Sequence, residues 1–254
     1  MNVLKFKKFK LSYTINGASK HIEHSKFDTF INEDLSIEFL VEQDEASNNN
    51  IYKSIINPKH TITLINFEIL TELNYADTFG VYCNGFQSWT ESKIFYKDDT
   101  VLPARKFLKG IAYTYGDYNF ANYTKKSGDV HSWSYTYIKL EKNKIQLLAS
   151  LDESKAYTCF YHSYKHNQLI VQKDCAGMQI DSKTNILDLI IIEDREAFAF
   201  EQLQLHNTKE NTKALPAIGW TSWYNYYTKI DEKIILKNLH NFTDKKYSDR
   251  NISD

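Results

Sequence analysis

The sequence has 254 residues, of which 42% are hydrophobic, and its 31 basic side chains nearly balance 32 acidic ones. A chain of this size and composition can bury a sizeable core. Its near-zero net charge supplies no field that would attract nucleic acid or an anionic membrane surface. No apolar run in the sequence reaches the ~18 residues that a spanning helix requires. We therefore expect neither a nucleic-acid partner nor a membrane partner.

Positions 1–194 are predicted to form an antiparallel β-sandwich. Residues 6–15 alternate between apolar and polar side chains and lead into Asn16-Gly17, a dipeptide that suits a type I′ hairpin. Short strands at regular spacing, separated by polar turns, are typical of two packed antiparallel sheets. No helix is predicted before residue 195. The further predicted strands are 35–43, 61–70, 133–140, 145–151, 157–164, 169–172 and 187–192.

The N-terminus and the cysteines indicate a cytoplasmic protein without a metal or cofactor. The first strand lacks the unbroken apolar stretch of a secretory signal. Cys83, Cys159 and Cys175 are few, odd in number and far apart, which favours buried free thiols over a disulfide framework. Cys159 and His162 have metal-like local spacing, but no second ligand pair accompanies them. No glycine-rich phosphate-binding motif occurs.

Three rings and two histidines of the predicted β region are candidate site residues. Trp133, Tyr135 and Tyr137 recur with period two, so we expect them on one face of a sheet. Packing between two sheets is one interpretation, and a sugar platform is the other. His131 and His162 show no partner in the sequence, which favours a structural interpretation of both.

The last part of the chain indicates a different architecture. Residues 195–214 are interpreted as a linker, and 215–218 as a short buried parallel strand. Asp231 is a suitable N-cap for a helix with apolar residues at helical spacing, among them Ile235 and Leu239. Residues 215–254 therefore predict a single βα unit of an incomplete (β/α)₈ barrel, since a whole barrel takes about 250 residues. We expect the apolar flank of this unit to be exposed.

Two blocks of this sequence resemble glycoside hydrolase family 36, which holds α-galactosidases and related raffinose-acting enzymes. They are NGFQSWTES at 84–92 and GWTSWY at 219–224, the latter followed by the capped helix. Their order matches a family layout of β-supersandwich, (β/α)₈ barrel and C-terminal β domain. The resemblance implies a retaining mechanism with two aspartates, a nucleophile after the fourth barrel strand and an acid/base after the sixth. Neither position is present here, so no catalytic residue is assigned and this chain alone is predicted to be inactive.

The resemblance also implies which side chains touch the sugar. Trp223 and Tyr224 match residues that line the pocket of the terminal galactose. Trp220 either faces that pocket or seats the strand against the barrel core. Trp89 matches a tryptophan by which the N-terminal domain reaches the pocket, although core packing between domains is equally open.

These expectations combine into one hypothesis and an alternative. The chain is interpreted as the N-terminal portion of an α-galactosidase-like glycoside hydrolase, with domains at 1–194 and 215–254 and an α-galactoside oligosaccharide as the ligand of the intact enzyme. The alternative is a non-catalytic carbohydrate-binding β-sandwich module. Homo-oligomer formation is left open by the sequence.

Overall fold

A computed structural model describes residues 5–44, 47, 49–75, 78–87, 90–207 and 220–244. In chain order the strands are β1 (Lys5–Ile15), β2 (Ala18–His24), β3 (Phe30–Ile31), β4 (Leu35–Gln43), β5 (Asn50–Pro58), β6 (Ile62–Glu72), β7 (Val81–Cys83), β8 (Lys93–Phe95), β9 (Asp129–Trp133), β10 (Tyr135–Glu141), β11 (Lys144–Ser150), β12 (Tyr157–Ser163), β13 (Gln168–Ile180) and β14 (Thr184–Arg195). The helices are α1 (Lys109–Ala112), α2 (Glu196–Asn207), α3 (Trp223–Tyr226) and α4 (Glu232–Asp244), with 3₁₀ turns at Lys106–Leu108 and Tyr227–Lys229.

The strands form two antiparallel sheets that share one core. The six-stranded sheet has the order β2-β1-β6-β13-β12-β9, and the eight-stranded sheet has the order β3-β4-β5-β14-β11-β10-β7-β8. Phe9 of β1 and Phe39 of β4 meet between the sheets with ring centroids 4.9 Å apart, and Phe67 of β6 stacks on Phe39. Burial of each ring contributes on the order of 2 kcal/mol. The predicted mainly β sandwich is confirmed.

The first hairpin follows its sequence signal. Asn16 and Gly17 both have positive φ, 49° and 79°, and Ile15 pairs with Ala18 across the turn. Most other predicted strands occur within a few residues of their expected bounds. The sequence did not predict β5, because residues 50–58 mix asparagine and lysine with their apolar positions. The prediction of no helix before residue 195 is wrong, since α1 and its preceding 3₁₀ turn were too short to show a period.

The chain changes sheets at Ser134. Trp133 ends β9 in the six-stranded sheet, and Tyr135 begins β10 in the eight-stranded sheet. Ser134 lies between them at φ 63°, in the left-handed region, which interrupts the alternation. The prediction that Trp133, Tyr135 and Tyr137 share one face is therefore wrong. The prediction fails because one residue in the left-handed region directs the chain from one sheet into the other, which the side-chain pattern does not reveal.

We expect substitutions at Ser134 to report on this crossing. Ser134→Val should lower the free energy of unfolding by about 1–2 kcal/mol, because a β-branched residue is strained at positive φ. Ser134→Gly should change it by less than about 1 kcal/mol. Urea denaturation of both variants tests this, and equal stability of the two would contradict a left-handed residue at the crossing.

The outer face of the eight-stranded sheet packs against α2. Ala199 and Leu203 of α2 join a second buried cluster with Tyr137 and Ile190. The Tyr137 hydroxyl donates to Glu196 Oε1 at 3.1 Å. The two tyrosines after the crossing therefore pack beneath a helix, neither between the sheets nor in an open platform.

Backbone contacts divide the chain into two compact units, Met1–Lys209 and Glu210–Asp254. The second unit contains α3 and α4. The strand predicted at 215–218 lies outside the described residues. None of the helices in the described ranges has both the length and the apolar character needed to cross a bilayer.

Candidate functional site

The loop that carries the first sequence block is described at residues 84–87 and 90–92, and these are held by hydrogen bonds to β9 and to one another. Asn84 donates its backbone N–H to Ser132 Oγ at 2.7 Å and its side-chain amide to the Trp133 carbonyl at 2.9 Å. Gly85 has no room for a side chain, because an added Cβ would lie 2.5 Å from Thr90 Oγ1. The loop is therefore a built feature of the sandwich. Trp89 lies outside the described residues, and its contribution to a sugar pocket stays a prediction.

Under this loop lies a buried carboxylate, Asp117, which is 1% exposed. It accepts hydrogen bonds from Trp133 Nε1 and His131 Nε2, both at 2.7 Å, and from the Tyr123 hydroxyl. Burial opposes ionisation of Asp117, but the hydrogen bonds from His131, Tyr123 and Trp133 outweigh it and lower the pKa of the carboxyl. The carboxylate is thus charged at neutral pH and accepts hydrogen bonds from three donors. We call Asp117, Tyr123, His131 and Trp133 the Asp117 cluster.

Aromatic contacts join the 84–92 loop to this cluster. The Phe86 ring lies 5.1 Å from the Trp133 ring in an edge geometry and 5.8 Å from Phe120. Trp133 is 5% exposed. This tryptophan therefore serves as the floor of the loop, and it is not available as an open sugar platform.

Two cavities flank the Asp117 cluster. The smaller, about 130 Å³, lies between the cluster and the 84–92 loop, where Asn84 and Glu91 line it. The larger, about 350 Å³, lies over the outer face of the six-stranded sheet. Tyr123 and His131 line both cavities. One wall of rings therefore fixes the shape of two concave surfaces.

The second sequence block places aromatic rings at the surface of the second unit. Trp223 and Tyr224 of α3 are 53% and 79% exposed, and Trp220 is 36% exposed. Trp223 contacts Tyr227, with ring centroids 5.3 Å apart. A contiguous exposed apolar patch marks a surface that a ligand or another part of a protein covers. Their assignment as galactose contacts stays a prediction.

The helix after this block begins as predicted. Asp231 Oδ1 accepts the backbone N–H of Ile234 at 2.8 Å, which is the N-cap interaction. The apolar side chains of Ile235, Leu236 and Leu239 are about half exposed along α4, at 49%, 45% and 54%. The expected exposed flank is therefore present on this helix.

The remaining candidates have structural partners. His131 and His162, whose partners the sequence did not show, both have one: His131 binds Asp117, and His162 contacts the Tyr75 hydroxyl at 2.8 Å. These partners are 14 and 87 residues away in the chain, so no local signal announced them. Cys83, Cys159 and Cys175 are free and buried, as predicted. Within the described residues no group of three or more His, Cys, Asp or Glu could hold a metal ion.

Comparisons with known proteins show a distant structural similarity to a solved glycosidase. No protein-family model matches the chain, and no curated protein sequence matches it. Among solved structures, the chain is similar to TtGalA, an α-galactosidase from Thermus thermophilus in complex with stachyose, at 13% sequence identity and a TM-score of 0.38. The match covers 82% of this chain and 41% of that chain, so this chain spans less than half the length of that α-galactosidase.

Proposed function

We propose that the chain is the N-terminal part of an α-galactosidase-like glycoside hydrolase and supplies an aromatic wall of its galactose pocket. The observation that carries the proposal is the exposed ring segment of α3, with Trp223 and Tyr224, followed directly by the Asp231-capped helix. The hydrogen-bonded 84–92 loop, which holds the other block of the family resemblance, supports it independently.

The chemistry of these rings suits a galactoside. The face of an indole such as that of Trp223 packs against the apolar C–H patch of galactose, and a phenol such as that of Tyr224 adds a hydroxyl for a sugar oxygen. Both side chains are exposed enough to meet a ligand. We propose Trp223 and Tyr224 as sugar contacts, with Trp220 and Trp89 as further candidates.

The carboxylate pair of the proposed reaction comes from the barrel of the intact enzyme. Retention requires two carboxyl groups about 5 Å apart across the anomeric centre. Barrel strands present such groups at their C-terminal ends. The buried Asp117 of the sandwich is engaged by three donors, so it cannot serve as a nucleophile without breaking its cluster.

Hydrolysis of p-nitrophenyl α-galactoside by the full-length protein tests the proposal, with the β-galactoside as the stereochemical control. We expect Trp223→Ala to lower kcat/KM about 100-fold, because loss of a sugar-stacking ring removes on the order of 2–3 kcal/mol of binding. Tyr157→Ala is the matched control, since this ring is 59% exposed on a strand of the sandwich. Equal activity of the two variants, or no α-galactoside hydrolysis by the full-length protein, contradicts the proposal.

The alternative of a carbohydrate-binding module makes a different prediction in the same experiment. A module binds raffinose or melibiose with a saturable change in tryptophan fluorescence, yet the full-length protein releases no p-nitrophenol. Binding with hydrolysis supports the glycosidase, and binding without hydrolysis supports the module.

A further inference from the structure

The cavity of about 350 Å³ on the outer face of the six-stranded sheet is a separate feature of the sandwich. Its floor is made by β12 and β13, on which Tyr161, Ile170 and Gln172 point away from the core between the sheets. Its rim is made by residues 122–126, which include Asn122 and Lys126. We call it the sheet-face cavity. Its volume lies within the range of about 300–1,000 Å³ that small-molecule sites occupy.

The wall of the sheet-face cavity is rigidly positioned before any ligand arrives. Asn122 donates its backbone N–H to the Tyr161 hydroxyl at 3.2 Å, which ties the rim to the floor. The His131 ring contacts Tyr123 at 4.9 Å and Tyr161 at 6.0 Å between centroids. Asp117 fixes both His131 and Tyr123 from behind. A site that is ordered in advance loses less conformational entropy on binding.

The lining matches the chemistry of a neutral, polyhydroxylated ligand. Gln168 and Gln172 bring amide groups that both donate and accept hydrogen bonds, which hydroxyl-rich ligands require. Burial is the largest cause of the raised pKa of the Tyr123 and Tyr161 phenols, so both keep their protons at neutral pH. Their rings add faces suited to sugar C–H groups.

The charges around the sheet-face cavity argue against an anionic ligand. The acidic side chains of Glu68 and Asp129 line it together with the basic side chain of Lys126 and the imidazole of His166. Asp129 accepts a hydrogen bond from Ser163 Oγ at 2.6 Å. Because the lining carries both negative and positive side chains, it does not form the cluster of cations that binding of a phosphate or a carboxylate requires.

We propose that the sheet-face cavity binds a neutral saccharide through Tyr161, Gln168 and Gln172. None of these residues belongs to the sequence blocks at 84–92 and 219–224. The proposal therefore goes beyond the proposed function and stands whether or not the intact protein cleaves α-galactosides.

Calorimetric titration of the full-length protein with raffinose, together with hydrogen exchange, tests the inference. We expect saturable binding with slowed exchange in residues 122–131 and 161–172. Gln172→Ala should weaken this binding about tenfold, the effect of losing one hydrogen bond of about 1.4 kcal/mol. Gln179→Ala is the matched control, because Gln179 lies exposed on the same strand, β13, outside the cavity.

The outcomes separate this inference from the proposed function. Raffinose binding that slows exchange only in 84–92 and 220–230, or that Gln172→Ala leaves unchanged, overturns the inference. Sodium glucuronate should not compete with raffinose, and effective competition by this anion would overturn the neutral ligand class. Gln172→Ala should leave the hydrolysis of p-nitrophenyl α-galactoside unchanged, so failure of the glycosidase proposal is read from a separate assay.

Discussion

Asp117→Ala should lower the free energy of unfolding by about 3–5 kcal/mol, the usual cost of removing one partner from a buried charged hydrogen-bond network. The substitution leaves the donors of Tyr123, His131 and Trp133 without their common acceptor. Each buried donor that loses its partner costs about 1–3 kcal/mol by itself. Urea denaturation monitored by tryptophan fluorescence measures the change, and Trp133 lies within the affected cluster.

Asp129→Ala is the matched control for this prediction. Asp129 is half-buried at the start of β9 and accepts one hydrogen bond, from Ser163. We expect its substitution to cost about 1 kcal/mol. If the two alanine variants unfold at the same urea concentration, the Asp117 cluster does not stabilise the fold as we describe. Asp117→Ala should also weaken raffinose binding, because His131 and Tyr123 lose the contact that orients them.

Acidification should destabilise the protein through His162, which is 2% exposed. Burial lowers the pKa of His162 to about 3, whereas an unfolded histidine titrates near ~6.5. Between these values the unfolded chain binds a proton that the folded chain does not, so the free energy of unfolding falls as the pH falls. The expected slope is about 1.4 kcal/mol per pH unit. At pH above the unfolded pKa this contribution to the pH dependence disappears.

Urea denaturation at several values between about pH 7 and about pH 5 tests this slope, because this range lies above the ordinary pKa values of Asp and Glu, about 3.9 and about 4.3. In His162→Gln the slope should largely vanish, since an amide can still contact the Tyr75 and Thr136 hydroxyls but does not titrate. His166→Gln serves as the control, because His166 is exposed and its loss should leave the slope in place. A slope that survives in His162→Gln and disappears in His166→Gln would contradict the prediction, because the pH dependence would then come from His166.

The sequence predicted what local pattern determines and missed what distant contacts determine. Alternation located β1 and β4 closely, and the Asn16-Gly17 signal located the turn between β1 and β2 correctly. The sheet crossing at Ser134 was not predicted, because serine is not a residue type that indicates positive φ. The Asp117 cluster was missed because its members come together only when the segment after β8 folds back over β9.

The candidate functional site also has parts that the sequence predicted and parts that it did not. The sequence blocks at 84–92 and 219–224 were visible as motifs, and the cap at Asp231 could be predicted from residue type alone. The sheet-face cavity could not, since its floor and rim come from β12, β13 and residues 122–126. Tyr161 and His162 lie on opposite faces of β12, and alternation alone does not show which face of a strand other residues cover.

The crossing at Ser134 has a mechanical consequence. Through β9, the residues before it hold the 84–92 loop and part of the sheet-face cavity, while β10 directly after it belongs to the other sheet. Because only Ser134 separates β9 from β10, a rotation of one sheet relative to the other would displace β9 directly.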